Sequence, residues 1–275
     1  MACPRARPET GLPALLGDLE DEHAELDAVL APLAEADWDR PTPASGWAVR
    51  DQISHLAFFD EVGALAVTDP ERFAVVAAAA LAEDADPMEE HLRRGRAGSG
   101  SEVLAWWRRT RVEMVDAGRT LEPGDRVPWF GPPMGALSFV SARIMETWAH
   151  GQDVIDALGL TRPPTARLRH VAHLGVRARP FSYVVRGLAV PDDEVRVALT
   201  GPSGESWEWG DSGAVAQVRG PALDFCLVVT QRRHVLDTAL EVRGQAAEEW
   251  MAIAQAFAGP PGPGRPPWGG DPPAH

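Results

Sequence analysis

Two runs of this sequence place side chains able to hold a cation or move a proton at helical spacing. In the first, Arg143, Glu146, His150 and Asp153 follow one another in steps of three and four residues. Such steps set a carboxylate and an imidazole one turn apart on one face, where they can share an ion. In the second, Trp47-Ala48-Val49-Arg50-Asp51-Gln52-Ile53-Ser54-His55, the histidine shares a stripe with Phe59, Val62 and Ala66 and faces apolar neighbours. Both runs also have plain structural readings. Ile144, Trp148, Gly151, Ile155 and Leu158 give the first helix an apolar face of its own, so its polar stripe also fits a solvated surface. Phe139, Ala142 and Ala149 interleave with that stripe, as they would on a helix buried on both sides. A lone histidine on an apolar stripe, as at His55, also reads as a core residue.

The elements that must position these residues follow from periodicity. Leu12, Leu15, Leu19, Leu26, Val29 and Leu33 predict an amphipathic helix beginning beside Pro13. A loop over 37–48 leads to a second helix from Val49 into Leu65, and Asp69-Pro70 opens an Ala-rich helical piece that stops before Pro87. The Arg/Gly/Ser-rich stretch 93–101 reads as a mobile loop. Ser101 is then the N-cap of a helix through Ala117, which Gly118 ends. After the loop Val127-Pro128-Trp129-Phe130-Gly131-Pro132-Pro133, a long helix runs from Gly135 to Leu158 with Gly159 as its cap. Four principal helices predict a four-helix bundle over 12–160.

Beyond Thr161-Arg162-Pro163-Pro164 the pattern changes. Residues 166–185 predict a helix, 194–200 and 206–209 a strand hairpin, and 215–219 a third strand. Helices follow over 222–230 and 245–257. The expected fold class is α+β, with the bundle followed by a small α+β domain over 165–258. Residues 1–11 and the Pro/Gly-rich tail 259–275 are expected to be disordered.

Composition removes several function classes. The chain has 275 residues and a net charge of −14, which disfavours nucleic acid and anionic membranes as partners. All 26 basic residues are arginine, so no lysine is present for Schiff-base chemistry. Cys3 and Cys226 suggest neither a disulfide framework nor a metal site nor a nucleophile. No apolar run reaches the length of a membrane span and no signal peptide is evident, so a cytoplasmic location is expected.

Taken together, the Trp47-x-Val49-Arg50-Asp51-x-x-x-His55 and Glu146-x-x-x-His150-x-x-Asp153 runs resemble the DinB-like, mycothiol-dependent maleylpyruvate isomerase superfamily of actinobacteria, over about 12–159. The resemblance implies a bundle whose second and fourth helices hold a divalent metal, usually zinc, with His55, Glu146 and His150 as ligands. It also implies a sterol-carrier-like second domain and mycothiol as a cosubstrate. Two imidazoles and a carboxylate leave zinc an open position, as catalytic sites do, although nickel or iron would also suit them. A thiol held there as thiolate is a nucleophile at neutral pH. Added reversibly to a conjugated cis double bond, it isomerises the bond; added to another electrophile, it gives thiol transfer.

The expected function is therefore a zinc-dependent reaction of a low-molecular-weight thiol with a small electrophile. A hydrolase using metal-activated water is one alternative. A non-catalytic carrier with a structural metal is another. Asp153 is expected either to hydrogen-bond a ligand imidazole or to be a surface carboxylate. Trp129 and Phe130 either wall the substrate pocket or tuck their loop onto the core. Arg219, Arg232 and Arg233 either reach an acidic substrate or are solvated charges. His23, on the core stripe of the predicted helix that begins beside Pro13, either is a structural core histidine or approaches the site. His91, His170, His173, His234 and His275 offer no metal spacing with a third ligand, and the oligomeric state stays open.

Overall fold

Leu12, Leu15, Leu16, Leu19, Leu26 and Leu30 are buried along one side of the first helix, α1 (Leu12–Leu30). The computed structural model describes residues 11–80 and 87–268. Cys3, His275 and residues 1–10 and 269–275 of the tails expected to be disordered lie outside the described residues, as does the stretch just before Pro87; residues 259–268 are placed instead, with the Trp268 N–H donating to Asp237 at 2.9 Å. A short helix, α2 (Glu35–Trp38), buries Trp38 and precedes α3 (Val49–Thr68). The N-terminus of α3 is capped by Asp51, whose Oδ2 accepts the Ala48 N–H at 2.9 Å. Arg50 donates to Asp39 at 2.7 Å, to Glu35 at 3.0 Å and to the Gly98 carbonyl at 2.6 Å. These two charged residues of the Trp47–His55 run thus tie neighbouring segments to the start of α3.

Next come α4 (Pro70–Ala80) and α5 (Pro87–Ala97). Much of the expected mobile loop over 93–101 is therefore helical. Arginine is a good helix former, and His91 and Leu92 are buried from α5. Gly95 lets the helix come close: a Cβ there would stand 1.8 Å from Ser54 Oγ on α3. The next helix, α6 (Gly100–Gly118), is capped by Ser99 rather than Ser101. Ser99 Oγ accepts the Glu102 N–H at 3.3 Å and the Glu102 carboxylate accepts the Ser99 N–H at 2.7 Å, a reciprocal capping box.

Two short strands, β1 (Arg126–Val127) and β2 (Met134–Gly135), pair antiparallel and fold the aromatic loop onto α7 (Ala136–Leu158). Gly159, at φ 65°, ends that helix in the left-handed conformation glycine tolerates. Helix α3 packs on α6 and α7, and α1 on α7 and α6. Leu19, Met114, Phe139 and Ile144 centre one apolar cluster; Leu30, Ile53, Leu56 and Trp107 centre another. Asp60 of α3 is fully buried in this unit. It pairs with Arg143 of α7 at 3.0 Å and lies 3.9 Å from His23 of α1, while Arg111 of α6 adds its charge.

The chain divides into two units, Met1–Leu160 and Thr161–His275. In the second, the single helix expected over 166–185 is two, α8 (Leu168–Arg177) and α9 (Arg179–Val184). Pro180, which has no N–H to give, stands at the start of α9 and cannot continue α8. The strands β3 (Val195–Thr200), β4 (Ser206–Trp209) and β5 (Ala216–Pro221) lead into α10 (Ala222–Val229), followed by β6 (Glu241–Arg243) and α11 (Gln245–Ile253). The sheet order is β4-β3-β5-β6, with β3 and β5 parallel and the other pairs antiparallel. Val197, Leu199 and Val218 bury one face, and Phe225 and Trp250 are buried from α10 and α11. Helices and a small sheet together make the molecule α+β.

Candidate metal centre

Helices α3 and α7 bring His55, Glu146 and His150 together, with one ligand atom from each within 4.8 Å of the others. Glu146 Oε2 lies 3.2 Å from His150 Nε2 and 3.8 Å from His55 Nε2. Zinc bonds of about 2.0–2.2 Å in tetrahedral geometry separate donors by about 3.3 Å, close to the distance from the carboxylate to each imidazole. Burial is the main reason the His55 imidazole titrates low, at about 3, with the His150 charge pushing the same way and Glu146 opposing. Burial alone would raise Glu146. Its hydrogen bonds with His150 and His55 outweigh that and hold it well below the ordinary carboxylate range. An ionised carboxylate and a neutral His55 imidazole are the forms in which these groups act as ligands.

Aromatic rings surround the cluster. Trp47 lies 5.4 Å from His55 and stacks on His150 at 5.9 Å, while Phe59 is 4.5 Å from His55. His91 of α5 sits 5.5 Å from His55 and stacks on Phe58 at 4.8 Å. Its ring neighbours lie on α3, so no spacing within its own segment pointed to it. Trp129 and Phe130 are half-buried against Phe73, and each also meets Phe59. Their loop is packed on the core and stands one ring away from His55.

Asp153 is buried, so it is not the surface carboxylate of the plain reading. His150 Nδ1 lies 2.5 Å from Gln52 Oε1, and His55 Nδ1 is buried with no hydrogen-bond partner. The outer nitrogen of His150 faces across to Gln52 of α3. Gln52 stands three residues before His55, on the same face of α3, which is the signal that could have found it.

His23 does not join the cluster: it lies with Asp60 and Arg143, and burial, then the charges of Arg111 and Arg143, lower it to about 3. Burial raises Asp60 despite Arg143. In the second unit, Arg219 is exposed on β5, Arg232 Nη1 donates to the Thr230 carbonyl at 2.6 Å, and Arg233 lies over the Trp268 ring. His173 Nδ1 accepts the Trp209 indole N–H at 3.1 Å. Cys226 is buried, which pushes its thiol pKa up and leaves it unreactive.

Residues 19–155, which contain both runs and all three clustered ligand groups, match the family described as the mycothiol maleylpyruvate isomerase N-terminal domain. The chain belongs to this family. Two Mycobacterium tuberculosis proteins, Uncharacterized protein MT0041 and Uncharacterized protein Rv0036c, are each 46% identical to it over 250 residues, covering 91% of this chain and 97% of theirs. Two crystal structures share the fold: the mycothiol-dependent maleylpyruvate isomerase, at 16% identity, and a histidine-to-alanine mutant of it, at 15%. Each has a TM-score of 0.55 and covers 81% of this chain and 90% of its own. Among the described residues, no helix is long and apolar enough to cross a membrane.

Proposed function

We propose that this family member is a divalent-metal-dependent enzyme that activates a low-molecular-weight thiol, mycothiol by its family, for addition to a small electrophile. The observation that carries the reading is the convergence of one ligand atom each from His55, Glu146 and His150. A bound zinc ion would supply Lewis acidity that keeps a thiol ionised near neutral pH. The chain's own part is to present three donors and leave a position for a fourth. Trp47 and Phe59 flank the imidazoles and limit water around them. Trp129 and Phe130, beyond Phe59, are the proposed outer wall for the electrophile.

Sulfur forms a bond to one carbon of a conjugated double bond, the chain rotates, and loss of the same sulfur restores the double bond with inverted geometry. That outcome consumes no thiol and is isomerisation; retention of the carbon–sulfur bond is transfer. We read the first unit as the metal-binding bundle and the second as a sterol-carrier-like domain, and place the reaction in the cytoplasm, where thiols stay reduced.

The test is elemental analysis of purified protein, then incubation with mycothiol and maleylpyruvate or other conjugated electrophiles, followed by mass spectrometry. About one divalent ion per chain and a thiol-dependent product, lost in His55→Ala, are expected. Turnover that needs metal but no thiol would replace this reading with a hydrolase. Turnover unchanged in His55→Ala would remove the site.

A further inference from the structure

Gln52 has two ends, one that only donates and one that only accepts, and its surroundings decide which faces His150. The Trp47 carbonyl accepts both the Thr42 N–H, at 2.8 Å, and the Thr42 hydroxyl, at 2.9 Å. The other oxygen near that hydroxyl, the Ala44 carbonyl at 3.5 Å, is also a pure acceptor. With its single hydrogen spent on a backbone oxygen, Thr42 Oγ1 accepts from Gln52 Nε2 at 2.9 Å. The amide is then held with Oε1 toward His150 Nδ1, 2.5 Å away. An acceptor so close requires a hydrogen on Nδ1, which leaves Nε2 turned toward Glu146.

We propose that Gln52, oriented by Thr42 and the Trp47 carbonyl, is the positioning residue that keeps a hydrogen on His150 Nδ1 and reserves Nε2 for the cation. The inference rests on the metal reading only for what Nε2 faces. The imidazole ring is fixed at its outer edge by α3 and a backbone oxygen of the preceding loop, both outside its own helix. A neutral amide accepts the Nδ1 hydrogen without adding a second negative charge beside Glu146. Thr42 touches neither ligand nor cation, yet it sets the direction of the whole chain of hydrogen bonds.

The experiment is a zinc competition titration against a chromophoric chelator on wild type, Gln52→Leu, Gln52→Glu and Thr42→Val, with melting curves for each. Alongside it, long-range 15N–1H spectra of histidine-labelled protein locate the hydrogens of His150. Gln52→Leu is expected to weaken zinc binding by about 10- to 100-fold, the usual cost of losing a partner behind a metal-bound histidine. Thr42→Val should weaken it by less, and Gln52→Glu, which still accepts from Nδ1, should stay close to wild type. The wild-type spectrum should show hydrogen on Nδ1. Wild-type affinity in a folded Gln52→Leu, or an Nδ1 without hydrogen in wild type, overturns the proposal. If Gln52→Leu does not fold, Thr42→Val and the wild-type spectrum decide. If wild type binds no zinc, the metal reading fails, and the spectrum of the metal-free protein still decides this one.

Discussion

At the scale of single side chains, Glu146 supplies the only negative charge in the cluster, and it lies within 4 Å of both imidazole Nε2 atoms. Glu146→Gln preserves volume and hydrogen-bonding capacity but removes that charge. Its zinc affinity is expected to fall by more than the roughly 10- to 100-fold cost of losing an outer partner, with the melting temperature little changed; the chelator titration and melting curves read both. An unchanged affinity would mean the carboxylate is no ligand. His55, Glu146 and His150 were legible as a set only through the family resemblance of the two runs, since helical spacing joins Glu146 to His150 but leaves His55 reading equally as a core residue. Gln52 was not singled out: it shares a face of α3 with His55, but its bond to His150 crosses from one helix to another and only the structure shows it.

At the scale of elements, the close approach of α5 to α3 depends on the missing side chain of Gly95. A Cβ at that position would meet Ser54 Oγ at 1.8 Å and Ser54 Cβ at 2.7 Å. Gly95→Ala is expected to cost roughly 1–3 kcal/mol by overpacking, against the gain of about 1 kcal/mol that alanine brings to a free helix. Urea unfolding reads the balance, and a stabilised variant would contradict the contact. The long helices were legible because their leucines and alanines repeat every three or four residues and their ends carry Pro13 and Gly159. Helix α5 was not, since its Arg/Gly/Ser composition resembles a loop and, among the residues whose exposure is described, His91, Leu92 and Gly95 are the buried ones. Strand β6 escaped for another reason: three residues are too few for an alternating pattern to declare itself.

At the scale of the whole molecule, buried histidines make stability depend on pH. His23 and His55 titrate at about 3 in the folded chain, against an ordinary value of 6.5. Between those values the unfolded chain binds protons at both sites that the folded chain refuses, so acid favours unfolding. Stability of the metal-free protein should hold above about pH 6.5 and fall as the pH drops toward 3, by up to about 1.4 kcal/mol per pH unit for each histidine. Asp60, raised by burial, acts in the opposite sense and returns part of the loss. Melting temperatures from pH 7 to pH 4 test this: a steady decline, shallower in His23→Leu, is expected, and a flat profile contradicts it. The same Asp60 has a consequence for ion entry. It answers at once to Arg143, His23 and Arg111, so α1, α3, α6 and α7 meet at one buried carboxylate. An ion at the proposed centre would therefore enter between two helices that the Asp60–Arg143 pair already joins, without having to draw them together itself.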